Sequence, residues 1–188
     1  MQVIAHQEVS GTSTTSVTFS SIPQTYKHLC MKWSLSGDST SNVYYKARVQ
    51  LNDDAGGSNY MFLQQRGNGS SLFTNAFSND GLIWNGSNAT GGGSGKEMFG
   101  AGECWFIYYS STATTNGGHY WGSTQDQGAS GNNNTFIGFS SWLYNSNGAG
   151  SSSSAGGTRD PEGITKIHID SAGSTNFSAD TYFTLYGV

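Results

Sequence analysis

The sequence predicts an all-β protein: one jelly-roll-like antiparallel β-sandwich domain over residues 1–188, with about eight or nine strands and long polar loops. Three observations carry that prediction. Apolar residues recur with period 2 in run after run, and no long 3.6-residue periodicity competes with them. Only 11% of residues are charged, against roughly 25% in ordinary soluble domains, and Ser, Thr, Asn and 27 Gly fill the deficit. Aromatics at 13%, placed within clean alternations, set a packed core against disorder.

The elements follow in order. After an opening run over 2–9, SVTFSSIP (16–23) puts Val17 and Phe19 on one face and closes at Pro23, which cannot donate to a ladder. HLCMKWSL (28–35) sets Leu29, Met31, Trp33 and Leu35 inward against His28, Cys30, Lys32 and Ser34. VYYKARVQL (43–51) repeats the scheme with Val43, Tyr45, Ala47, Val49 and Leu51 inward. SGDSTSN between them has the residues of a hairpin connection, and NDDAGGSN (52–59) is a second turn before YMFLQQ (60–65).

From 67 to 95 the text is mostly Gly, Ser and Asn, broken by SLF, NAF and GLIW, so regular structure there is expected to be short or absent. EMFGAGECWFIYYSS (97–111) is apolar on both faces, the mark of a central strand, and Ile107 is assigned to the core. GGHYWGS (117–123) and TFIGFSSWLY (135–144) follow, and ITKIHID (164–170) turns Ile167 and Ile169 inward. The last run, TYFTLYGV (181–188), alternates Phe183 and Leu185 with tyrosines and threonines. An ordered terminus is tied down by pairing, so this strand is expected inside a sheet with Phe183 and Leu185 in the core.

Composition also bounds function. A net charge of −4 without a Lys/Arg cluster offers no grip on a phosphate backbone, so no nucleic-acid partner is expected. No apolar run approaches the roughly 20 residues that span a bilayer, and MQVIAHQEVS lacks the regions of a signal peptide, so no membrane partner is expected either. Cys30 and Cys104 read as two small buried hydrophobes that stay thiols in a reducing cytoplasm.

No catalytic, cofactor or metal constellation stands out. GGGSGKE (91–97) departs from a phosphate loop at Thr90, where glycine is needed, and at Glu97, where Ser or Thr should follow Lys96. His6, His28, His119 and His168 are scattered without metal-ligand spacing, and Asp53 and Asp54 do not match an alternating calcium loop. Asp160 and Glu162 flank Pro161 and read as solvated loop charges rather than glycosidase carboxylates. Asn68, Asn85, Asn88 and Asn176 each begin an N-x-S/T triplet, which chance explains in so Asn- and Ser-rich a chain. Aromatics are the better binding candidates. Trp84 in NDGLIWNGS, and Tyr120 with Trp121 in HYWGS, lie beside polar text and could stack on a sugar ring, with core filling or a subunit contact as the competing role.

SVTFSSIPQTYKHL (16–29), SNY (58–60), ITKIHIDSAG (164–173) and the closing FTLYGV resemble a module of virion structural proteins in tailed bacteriophages. In that module a strand ending F-x-x-I-P, a hydrophobic strand, an I-T-x-I-x-[ILV] strand and an F-[ST]-L-Y-G-[IV] run recur. The match covers roughly the first 60 and last 25 residues, and ITKIHID departs from it in carrying Lys166 and His168. The resemblance implies a small β-sandwich virion protein of the capsid decoration or fibre-tip type, made in the host cytoplasm and without catalytic residues or cofactors.

Three functions follow. A capsid decoration or cement protein would bind the major capsid protein as a homotrimer, with the N-terminal run and the low-charge loops at 67–95, 124–134 and 145–162 against the shell or a neighbour. A receptor-binding tail-fibre or tail component, the alternative, would take a glycan at Trp84, Tyr120 and Trp121. The third is a free carbohydrate-binding module.

Overall fold

The computed structural model describes the whole chain apart from residues 12, 39–44, 56–58, 68–70, 80, 89–98, 114–115, 128–132, 145–161 and 172–175. Twelve strands are present among the described residues: β1 (Gln2–Glu8), β2 (Ser16–Phe19), β3 (His28–Gly37), β4 (Tyr45–Leu51), β5 (Tyr60–Gly67), β6 (Leu72–Asn79), β7 (Leu82–Asn88), β8 (Gly100–Ile107), β9 (Asn116–Gln127), β10 (Asn133–Tyr144), β11 (Ile167–Ser171) and β12 (Tyr182–Gly187). A large antiparallel sheet runs β1-β12-β3-β8-β9-β10-β5-β6, and a smaller one runs β2-β11-β4-β7. They join at one corner, where Ser36 and Gly37 of β3 run parallel to Ser87 and Asn88 of β7.

The antiparallel sandwich therefore holds, but its strands are more numerous than expected and divide eight to four. The extra strands lie where the text reads as loop. β6 and β7 occupy the Gly/Ser/Asn-rich stretch, and β9 and β10 reach further toward 128–132 than their apolar cores do. Such residues have poor strand propensity alone. Cross-strand pairing supplies what propensity lacks, β6 adding to β5 and β7 to β4 in unbroken register.

Between the sheets lies one core. Phe19, Leu29, Met31, Trp33, Val49, Ile167, Ile169, Phe183 and Leu185 are buried as expected. Val43 is outside the described residues, as is the side chain of Tyr45. Ile107 is a correction: Cys104 and Phe106 face the core, so Ile107 takes the outer face and is only half-buried. Tyr108 then adopts φ 50°, breaking the alternation and letting Tyr109 turn inward, where its hydroxyl donates to the Pro23 carbonyl.

β12 sits between β1 and β3, so the terminal strand is interior to its sheet. Val188 exchanges backbone hydrogen bonds of 2.9 Å with His28 in both directions. Gly187 has a specific reason to be glycine: a Cβ there would overlap the ring of Tyr26. At the other end of β4, Asn52 and Asp53 hold φ of 53° and 60°, and the Asp54 amide donates to the Leu51 carbonyl at 2.9 Å. That is a type I′ turn, which short Asn and Asp side chains tolerate.

Across the inner face of the large sheet, register places Phe183, Trp33, Gly102, Gly122 and Gly138 in one transverse row. The Trp33 indole lies over this trough. A Cβ on Gly102 would overlap the indole and the Trp121 carbonyl, whereas one on Gly122 would meet the indole at an ordinary 3.5 Å. Two inward rows away, Gly118 stands between Phe106 and Trp142, whose rings meet edge to face at 5.3 Å. Gly102→Ala is therefore expected to destabilise the fold by about 2 kcal/mol through overpacking, and Gly122→Ala by clearly less. Urea denaturation of the two variants checks the ranking, and equal costs would refute the trough.

Candidate functional site

Trp121 is the one member of the predicted aromatic trio that the structure places on a described surface. It is 40% exposed on the outer face of the large sheet. Its sequence neighbour Tyr120 points the opposite way, as strand alternation requires, and is buried with its hydroxyl accepting a 2.9 Å hydrogen bond from Gln64. Trp84 lies within β7 opposite Ala47 rather than in a loop, and its side chain is outside the described residues. The structure thus separates Tyr120 from Trp121.

What surrounds Trp121 is set by register. One outer row reads His6, Thr184, Lys32, Glu103, Trp121, Phe139 and Gln65 across seven strands. Phe139, directly opposite Trp121, is 61% exposed. Two residues along, Trp105 stands opposite His119, with ring centroids 6.3 Å apart and planes at 22°. Leu63 and Ile137 extend the exposed apolar surface on the neighbouring strands.

Glu103 organises this face. Trp105 donates its indole N–H to Oε1 at 3.1 Å, the Trp121 indole donates as well, and Lys32 Nζ lies 3.6 Å from Oε2. Burial alone would raise the carboxyl, but those hydrogen bonds and the Lys32 charge outweigh it and hold its pKa below the ordinary 4.5. The carboxylate stays charged and keeps both indoles in place. Glu103, Trp105 and Phe139 escape a motif search. The available signal was a lone acid within GAGECWFI, a strand otherwise apolar on both faces.

The outer face of the small sheet carries a second polar cluster. Thr18 and His168 meet at 2.8 Å through Nδ1, while His168 Nε2 is 3.9 Å from Asp170. A hydroxyl, an imidazole and a carboxylate invite comparison with a nucleophilic triad. The geometry argues otherwise, because both Asp170 oxygens accept from Arg48, at 3.1 and 2.7 Å, and the imidazole–carboxylate distance is too long for a hydrogen bond. Its work is to tie β2, β11 and β4 together.

The remaining candidates have structural partners. Asp53 pairs with Lys166 at 2.7 Å, and both Asp54 oxygens accept from Asn59. Glu162 accepts from Asn52 and Tyr144 at 3.1 and 3.2 Å, while Asp160 is outside the described residues. His6 meets Thr184 at 2.8 Å, and His28 accepts from the Tyr108 amide. Asn176 donates to Asp38, Asn85 and Asn88 fall in β7, and Asn68 and the 91–97 loop are outside the described residues. Cys30 and Cys104 are buried free thiols in adjacent register on opposite faces of the sheet, and burial, with Glu103 nearby, pushes the Cys30 thiol up to about 11. Among the described residues no group of three or more His, Cys, Asp or Glu could hold a metal, and no helix is long and apolar enough to cross a membrane.

Comparison with protein-family models, with curated proteins and with solved structures finds no match.

A depressed native pKa means that the stability contributed by the Glu103 carboxylate is complete above pH 4.5 and is lost as pH falls through the lower native value. Tryptophan fluorescence should therefore titrate below pH 4.5 in the wild type and lose that step in Glu103→Gln. A step that survives the substitution would show that the indoles do not depend on this carboxylate.

Proposed function

We propose that this chain is a non-enzymatic virion structural protein of a tailed bacteriophage, a capsid decoration or cement protein that docks on the outside of the shell and stabilises junctions between major capsid protein subunits. The observation that carries the reading is the outer edge of β1. Among the described residues β1 pairs only with β12, so the other side of this seven-residue strand presents backbone N–H and C=O groups along the margin of the large sheet. Val3 beside that edge is 56% exposed. An open edge accepts an extended segment from another protein by strand addition.

The virion context rests on the resemblance of the strand segments, which fall on β2, on β11 and on the terminal β12 with its Tyr26-filled glycine site. These are fold-making positions. Binding of many copies to the assembled shell but not to free subunits raises shell stability by mass action. A homotrimer is part of the proposal, copies of one chain closing around a symmetry axis.

The second reading, a receptor-binding tail or fibre component, is favoured by the exposed Trp121. Gene deletion separates the two. Particles lacking the protein should assemble yet break at lower temperature or pressure, whereas particles of unchanged robustness that fail to adsorb to cells would establish the second reading. Light scattering should give a trimer mass in solution or after shell binding, and a monomer in both states would refute the trimer.

A further inference from the structure

We propose that the outer face of the large sheet is a saccharide-binding platform, with Trp121 and Phe139 as stacking surfaces and Glu103 and Lys32 as hydrogen-bonding partners, for a neutral hexopyranose with one unbroken C–H face. The inference goes beyond the assignment to shell or tail, since the site would serve on either.

Aromatic placement is the first part of the argument. Trp105 opposes His119 and Trp121 opposes Phe139, so four rings occupy neighbouring positions on β8, β9 and β10. Strands in a sheet lie about 4.8 Å apart, which makes the array about 10 Å wide, roughly the extent of two sugar rings side by side. The array lies on the open face of a sheet, as suits a chain of sugars lying across it.

Orientation is the second part. Both indole N–H groups are committed to Glu103, so the rings are held before any ligand arrives and little side-chain freedom is lost on binding. A pyranose stacked on an indole directs its hydroxyls outward past the ring edge. At that edge sit the Glu103 carboxylate and, 3.6 Å from it, the Lys32 ammonium. A carboxylate has about four lone-pair positions; the indoles take two, so Glu103 can still accept from a hydroxyl while Lys32 donates to one.

The same groups discriminate among occupants. An ionised Glu103 disfavours phosphate- or carboxylate-bearing ligands, and an apolar protein surface would have to strip water from both Glu103 and Lys32 without replacing it. Sugar hydroxyls replace those hydrogen bonds. The platform differs from the aromatic trio expected from the text: Tyr120 faces the core and has no part in it.

The test uses the full chain. An array of neutral hexopyranosides identifies the configuration bound, and fluorescence titration with cellotetraose and a β-linked galactotetraose, up to millimolar concentrations, measures affinity. At least one should bind, with a loss of at least about tenfold in Trp121→Ala and in Phe139→Ala, a smaller loss in Glu103→Gln and none in the remote Tyr108→Ala. Circular dichroism and melting confirm that each variant is folded; if Trp121→Ala is not, Phe139→Ala, at a more exposed position, decides. Absence of every neutral hexopyranoside from the array, or binding that survives both substitutions, overturns the proposal. So does a wild type that binds no sugar but changes from oligomer to monomer in Phe139→Ala, which would make the face a subunit contact.

Discussion

The large sheet can pack only because glycines stand where two indoles have to lie. Trp33 on β3 and Trp142 on β10 approach the central strands from opposite sides, and their rings cross Gly102 and Gly118 where any Cβ would collide with ring or backbone. A Trp side chain covers more area than its own position on the pleat provides. The surplus falls on the neighbouring strand, which must therefore be bare. This exchange makes β8 and β9 glycine-rich without weakening the core, because each missing side chain is replaced by ring surface from next door.

The constraint has a consequence on the other face. With large inward rings supplied by β3 and β10, the inward positions of β8 and β9 are left to glycine, Cys104, Phe106 and Tyr120. The outward positions of the same strands carry Trp105, Trp121 and the one acid, Glu103. An aromatic surface open to water requires something to hold it in place, and the carboxylate does so by accepting from both indoles. Packing inside and presentation outside are thus linked through the pleat of two strands.

Segments that lack a ladder are pinned by a few polar residues. Asn52, in its left-handed turn, accepts from the Thr165 amide at 2.9 Å and donates to the Gly163 carbonyl at 3.0 Å, which fixes the approach to β11. Tyr60 and Tyr144 stack at 4.9 Å beside it, and Tyr144 reaches Glu162. Burial, with Tyr60, Asp54 and Glu162 around it, pushes the Tyr144 hydroxyl far above the ordinary range, so it remains a donor at any physiological pH. Among the described residues the irregular segments are thus closed by amides and phenols together with a few carboxylates.

The fold class, the inward sets of β3, β11 and β12, and Ala47, Val49 and Leu51 of β4 were legible in the residues alone, because period-2 alternation reports which face is buried whatever the strand's neighbours. The sequence could not determine β6 and β7, whose Gly-, Ser- and Asn-rich text forms strands only through pairing with β5 and β4. Nor could it determine the outward turn of Ile107, since a strand apolar on both faces contains no sign of which side is core. Tyr120 and Trp121 lie in a run readable as a strand, so alternation puts them on opposite faces, but only the sheet that strand joins decides that Tyr120 is the one facing the core. The grouping of Glu103 with Trp105, Trp121, Phe139 and Lys32 belongs wholly to the tertiary structure, because it depends on the register of β3, β8, β9 and β10, and register is a relation between strands that no single stretch of residues contains.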